Sequence, residues 1–157
     1  MKNVRPAFEV WDKDVSELPP GYQKITCHMI FDVKMGENFR RKARVVADGH
    51  KNKTPAGMTY SSVVSRDSVR IALTIAALND LDIMACDIQN AYLTVDCQEK
   101  CWTAAGPEFG SEAGLTMIIK KALYGLKCTG AAFRAHLAET LDAMGFKPSY
   151  ADPDVWL

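Results

Sequence analysis

The sequence lacks any apolar run approaching the ~18–20 residues that a bilayer-crossing helix requires, so no stretch of it reads as a membrane span. It lacks a net charge: 19 Lys and Arg stand against 19 Asp and Glu. Bulk attraction to a polyanion is thereby excluded, and only local patches remain to bind phosphates. The start, Met1-Lys2-Asn3-Val4-Arg5, leads to Trp11-Asp12-Lys13-Asp14 rather than to an apolar core, so it does not read as a secretory leader. Cysteine is sparse and irregular: Cys27, Cys86, Cys97, Cys101 and Cys128. Cys97 and Cys101 are spaced to face each other, but no second pair completes a zinc site, and the odd total suits reduced thiols of an intracellular protein. Internal repeats and low-complexity tracts are absent, and no two aspartates stand side by side.

What is present is ordinary globular composition, 48% hydrophobic and 24% charged over 157 residues, enough for one domain with a real core. The first residues are polar and end in the rigid punctuation Leu18-Pro19-Pro20-Gly21, so residues 1–18 read as a lead-in and 19–157 as the domain. Ile25 to Lys34 is strand-like, Met35-Gly36-Glu37-Asn38 is a turn, and Phe39 to Ala47 alternates as a second strand, making a β-hairpin with a basic returning strand. Asp48 to Thr59 is a loop. Ser65 or Asp67 caps a helix to about Asn79 whose polar stripe is only Asp67, Arg70 and Thr74, which predicts a mostly buried helix. Asp82 to Ile88 reads as a short apolar strand, Glu99–Ala104 and Thr116–Ala122 as two more, with a loop over Gly106–Gly114. Phe133, Leu137, Leu141 and Met144 form a helical stripe ended by Gly145 in the left-handed position. Val155-Trp156-Leu157 begins a strand expected to pair with a further one.

Two features bear on chemistry. Between Arg40 and Lys53 lie Arg40, Arg41, Lys42, Arg44, Lys51 and Lys53 against the single acid Asp48; Lys120, Lys121, Lys127 and Arg134 form a second basic group. Such a patch is either a phosphate-binding surface or a solvated strand face. The other is Asp87, an acid closing an apolar run. A buried anion there needs a partner, either a metal ion or a structural cap or salt bridge. Tyr92 follows five positions later, as a site aromatic or as a core one.

The run Asp87-Ile88-Gln89-Asn90-Ala91-Tyr92-Leu93 resembles the first catalytic motif of copia-type retrotransposon reverse transcriptases, Asp-x-x-Asn-Ala-aromatic-Leu. Cys27 to Phe31 with Arg41 to Ala47 is similar to that family's fingers hairpin, and Thr59-Tyr60-Ser61-Ser62-Val63-Val64 to its loop before the palm helix. Ala122-Leu123-Tyr124-Gly125-Leu126-Lys127 resembles its Ser-Leu-Tyr-Gly-Leu-Lys block, and Ala151-Asp152-Pro153-Asp154 its Ala-Asp-Pro segment. The five blocks follow in family order over residues 19–157.

The resemblance implies an α+β fold, the fingers and a partial palm of a right-hand polymerase, with an antiparallel sheet backed by helices. It implies RNA-directed DNA synthesis with Mg2+, on an RNA template, a DNA primer and deoxynucleoside triphosphates, inside a polyprotein that supplies the rest of the palm, a thumb and an RNase H domain. That setting is the cytoplasmic virus-like particle or the nucleus, with no membrane. Asp87 would be the catalytic carboxylate and a metal ligand, with the backbone of Ile88 supplying another oxygen. Arg41, Lys42 and Arg44, not separable by sequence, would face the triphosphate; Tyr92 would pack under the sugar, and Tyr124 and Gly125 would lie beside the nucleotide. Arg40, Lys51, Lys53 and Lys127 would meet nucleic-acid phosphates. Two departures stand out. Cys128-Thr129-Gly130-Ala131-Ala132-Phe133 replaces the family's Gln-Ala-Pro-Arg-x-Trp, and the aromatic-x-Asp-Asp motif does not occur, so this chain alone is expected to be inactive. The alternative is a non-catalytic nucleic-acid-binding remnant or a folded relic.

Overall fold

The computed structural model describes every residue except 2, 37, 54–56 and 58. In chain order its regular elements are β1 (Phe8–Val10), β2 (Gln23–Lys24), β3 (Cys27–Lys34), β4 (Arg40–Ala47), helix α1 (Arg66–Leu78), β5 (Cys101–Ala104), β6 (Thr116–Ile119) and helix α2 (Thr129–Ala143). Two sheets form: a four-stranded one in the order β1-β6-β5-β2 and the two-stranded hairpin β3-β4. The pairings are antiparallel apart from β2 with β5, a short parallel pair, so the antiparallel sheet expected from sequence is in detail a mixed one.

The segment expected to be a lead-in carries β1, which pairs with β6 in the register Phe8 to Ile119. Ala7 and Phe8 are buried, and the Phe8 ring meets Phe109 edge-on at 5.1 Å. Arg5 grips Glu112 through two guanidinium nitrogens at 2.6 Å each, fastening the N-terminus to the loop between β5 and β6. A polar composition hid this strand because only three residues of it alternate.

The core gathers Phe8, Ile25, Val45, Ala47, Cys101, Phe109, Met117, Ile119, Leu123 and Leu126. The expected hairpin is present, and its two ends differ. Val45 and Ala47 at its base are buried, whereas Phe31, Val33 and Phe39 towards its tip are exposed. Asn38 and Phe39, in the connection between Lys34 and Arg40, have φ of 51° and 56°; Glu37 of the expected turn and part of the loop expected over Asp48–Thr59 lie outside the described residues.

Helix α1 begins where its cap predicts: the Ser65 hydroxyl accepts from the Ser68 amide at 3.0 Å. Its expected burial does not hold. Ala76 is its one buried residue, while Ile71 and Leu78 are 59% and 80% exposed. Asp82–Ile88, expected as a strand, forms no ladder, and Met84 is 91% exposed. A strand exists only against a partner, and among the described residues none lies beside this segment. Likewise Trp156 makes one isolated bridge, to Pro148, instead of a continuous strand. Helix α2 ends as expected, with Gly145 at φ 98°.

Candidate functional site

A cleft of about 490 Å³ opens between the basic strand β4, the turn after Asp87, and the segment Ala122–Tyr124. The chemistry of its walls follows from strand geometry. Alternate residues of a strand share a face, so Arg40, Lys42 and Arg44 lie on one side of β4 and Arg41, Ala43 and Val45 on the other. The register sets Lys42 opposite Asp32, Arg44 opposite Ile30 and Arg40 opposite Lys34. Lys42 and Arg44 are half-buried, and Arg41 is exposed. Lys42 and Arg44 thus share a face of β4 with Arg40, and Arg41 lies on the other, while all four line the cleft.

Across the cleft stand Asp87, Ile88, Gln89 and Asn90. Asn90 takes the left-handed conformation at φ 53°, which asparagine tolerates better than most residues, and its carbonyl accepts from Leu93 as the chain turns into Ala91–Thr94. This turn brings Tyr92 back to the wall, where its ring meets Tyr124 at 4.7 Å and Phe133 at 6.0 Å, both edge-on. Tyr92 also borders a second, apolar groove of about 400 Å³ lined by Val63, Val64, Leu137, Leu141 and Trp156, so one ring divides two cavities.

Of the residues singled out from sequence, Asp87, Ile88, Arg40, Arg41, Lys42, Arg44, Tyr92 and Tyr124 line the one cleft. Gly125 lies just behind it in the turn that carries Tyr124, with φ 92°. Three lysines do not reach it. Lys51 bonds Asp48 at 2.8 Å, Lys127 donates to the Asn52 carbonyl at 2.6 Å, and Lys53 sits where its amide meets the Gln23 side chain. Asp48 is a busy acceptor, bonded by Lys51 and by the Thr26 hydroxyl and lying 3.0 Å from His28 Nδ1. The lysine and hydroxyl bonds hold its carboxyl down to about 2. Asn3 and Val4 also line the cleft; their distance in sequence from every motif left no signal that they would.

Among the described residues Asp87 is the one acid that lines the cleft. Among the described residues no three His, Cys, Asp or Glu side chains converge to cage an ion. Mg2+ is commonly held by one or two carboxylates together with substrate phosphates, so Asp87 and the neighbouring carbonyl of Ile88 fit part of such a shared site and not a complete one. Three of the thiols are made poor nucleophiles by burial, which pushes Cys27 and Cys101 up to about 11 and Cys97 up to about 12.

Residues 8–156 match the family model described as reverse transcriptase (RNA-dependent DNA polymerase). The chain is similar to the retrovirus-related Pol polyproteins of transposon TNT 1-94 from Nicotiana tabacum, at 28% identity, and transposon RE1 from Arabidopsis thaliana, at 31%. Each comparison covers 99% of this chain, which spans 13% and 11% of those polyproteins. It is also 32% identical, over 79% of its length, to 7% of the transposon Ty1-BL Gag-Pol polyprotein of Saccharomyces cerevisiae. No solved structure matches it.

Proposed function

This chain belongs to the reverse transcriptase (RNA-dependent DNA polymerase) family, and from that premise we propose that it is the fingers and the first part of the palm of a copia-type retrotransposon polymerase. The observation that carries the proposal is the cleft itself, in which Asp87 shares one cavity with the basic strand Arg40–Arg44. Nucleotidyl transfer moves negative charge across a triphosphate, and fixed cations beside that charge stabilise the transition state more than water does. Lys42 and Arg44 are the pair for this task, because one strand face presents both. Arg40 and Arg41 line the same cleft and extend the cationic strip along a template or primer backbone.

Asp87 and the Ile88 carbonyl would hold Mg2+ with the substrate phosphates, and the ion would supply charge neutralisation and alignment of the attacking hydroxyl. The other roles belong to side chains of this chain. Tyr92 walls the cleft four residues after Ile88 and lies under the sugar of an incoming nucleotide, steadied by Tyr124 and Phe133. Lys51 and Lys127 hold the loop after β4 through Asp48 and Asn52, so phosphate contact falls to β4 and to Lys53. The rest of the polyprotein, the RNA template and the DNA primer are the partners of this reading. No helix among the described residues is long and apolar enough to cross a membrane.

Primer extension on an RNA template tests it. The 157-residue chain, with one carboxylate in its cleft, is expected to incorporate nothing above an Asp87→Asn control. A longer stretch of the same polyprotein is expected to incorporate nucleotides with Mg2+ and to lose that activity on Asp87→Asn. Activity that survives the substitution in the longer protein overturns the role of Asp87. A second reading, nucleic-acid binding without catalysis, draws on the same cationic strip; it gains if the longer protein binds primer–template and never extends it.

A further inference from the structure

The base of the β3–β4 hairpin crosses the turn Leu123–Leu126 at closer range than side chains permit. The Ala47 amide donates to the Tyr124 carbonyl at 2.7 Å, and Val46 bridges Tyr124 in a parallel pair. A Cβ placed on Gly125 would overlap the Ala47 carbonyl oxygen and lie 3.0 Å from its carbon. A Cβ on Gly49 would overlap the Gly125 carbonyl oxygen and lie 3.0 Å from the Leu126 Cα. Both collisions are with backbone, so no rotamer change relieves them. The Lys127 ammonium closes the crossing from outside on the Asn52 carbonyl.

We propose that Gly49 is a positioning residue, whose missing side chain lets the hairpin seat on the Tyr124–Gly125 turn and so fixes the height of the Lys42–Arg44 face over Asp87. The inference rests on the polymerase reading above for what the face contacts, and on geometry alone for the crossing. The logic is that of a lever. The buried part of the hairpin is its base, where Val45 and Ala47 lie in the core, while Phe31 and Phe39 towards its tip are exposed. A shift of the base by the width of a methyl group is carried outward along β4 to every cation of the strip. The same turn holds Tyr124 against Tyr92, so the crossing sets both walls of the cleft at once.

The test uses the 157-residue chain as wild type, Gly49→Ala, Gly125→Ala, the double variant and Lys127→Met. Amide spectra and the salt dependence of binding to a labelled primer–template duplex are read together. Gly49→Ala is expected to move the Ala47 and Tyr124 amide resonances and leave those of Met117 and Ile118 in place. The salt slope is expected to become shallower by about 1 to 2, as removal of the Lys42 and Arg44 contacts would make it. The double variant is expected to be no worse than the more damaging single one, because the crossing opens once. If either glycine variant does not fold, Lys127→Met is expected to move the same two amides by less. Gly49→Ala with unmoved Ala47 and Tyr124 resonances overturns the proposal, as does additive damage in the double variant. A wild type that binds no duplex, with those resonances moving as stated, rejects the polymerase reading and leaves the crossing intact.

Discussion

Strand β6 and helix α1 are both strongly apolar, yet Met117, Ile118 and Ile119 are buried while α1 buries only Ala76. The two segments differ in their neighbours. β6 lies between β1 and β5 in a ladder, with Phe8 and Phe109 in the same core. α1 and the following Asp82–Ile88 have no sheet partner among the described residues, and Val69, Leu73, Ile75, Leu81 and Ile83 remain exposed beside each other in sequence. Apolar periodicity therefore states that a face needs cover, and is silent on whether the cover is within reach. An uncovered apolar face of this kind ordinarily marks a contact surface.

The largest effect that separates the two regions is a truncation in each. Met117→Ala empties a position with no exposure, and urea unfolding is expected to show a loss of about 2–5 kcal/mol. Leu78→Ala removes a side chain that is 80% exposed, and the expected change is within about 0.5 kcal/mol. Comparable losses would break the contrast and mean that α1 is covered in solution. Hydrogen exchange sharpens it next: amides of β5 and β6 are expected to open only with global unfolding, and those of α1 by local openings at far lower free energy. Equal protection in both would show one cooperative unit.

The same division explains what sequence could tell. The hairpin was legible because two alternating runs flanked a turn, and α1 because Ser65 caps it; both are signals carried within a few residues. The cleft was legible in part. Asp87, Tyr92 and the basic strand were marked by motif, but that Lys51 and Lys127 are tied to Asp48 and Asn52 is a matter of contacts between distant segments. β1 was missed because three residues of strand carry almost no pattern, and their reason for pairing lies at Met117–Ile119. The strand expected at Asp82–Ile88 failed for the converse reason: the pattern is there and the ladder is not.

A smaller effect tests the basic strip against the basic loop. Lys42→Ala/Arg44→Ala is expected to flatten the salt slope of duplex binding by about 2, one for each phosphate contact removed. Lys51→Ala is expected to leave the slope unchanged, since Lys51 already pairs with Asp48. Anisotropy across a salt series reads both. A flattened slope for Lys51→Ala alone would move the phosphate site from the strand to the loop.

The smallest effect concerns how α1 is held at all. Its apolar flank is largely bare, but its N-terminus is fastened: Asp152 Oδ2 accepts from the Ser68 hydroxyl at 2.6 Å and from the Ser65 amide at 2.9 Å. Arg134 on α2 fixes the same C-terminal segment through Asp154 at 2.7 Å. The Ser68 and Ser65 bonds pull the Asp152 carboxyl down to about 2 from an ordinary 3.8. A carboxyl whose folded pKa is depressed contributes stability that is present above its unfolded pKa and lost as the pH falls through the folded one. The window is therefore about pH 4 down to pH 2. Within it, α1 amides are expected to lose protection before those of β5 and β6, whose ladder lies in the buried core around Met117 and Ile119. Asp152→Asn keeps an oxygen acceptor and removes the titration, so in that variant the protection of α1 should be weaker at neutral pH and flat across the window. The comparison is made by hydrogen exchange at a series of acid pH values, on wild type and on Asp152→Asn. An α1 that keeps its protection to pH 2 in the wild type would show that packing, and not this carboxylate, holds the helix in place.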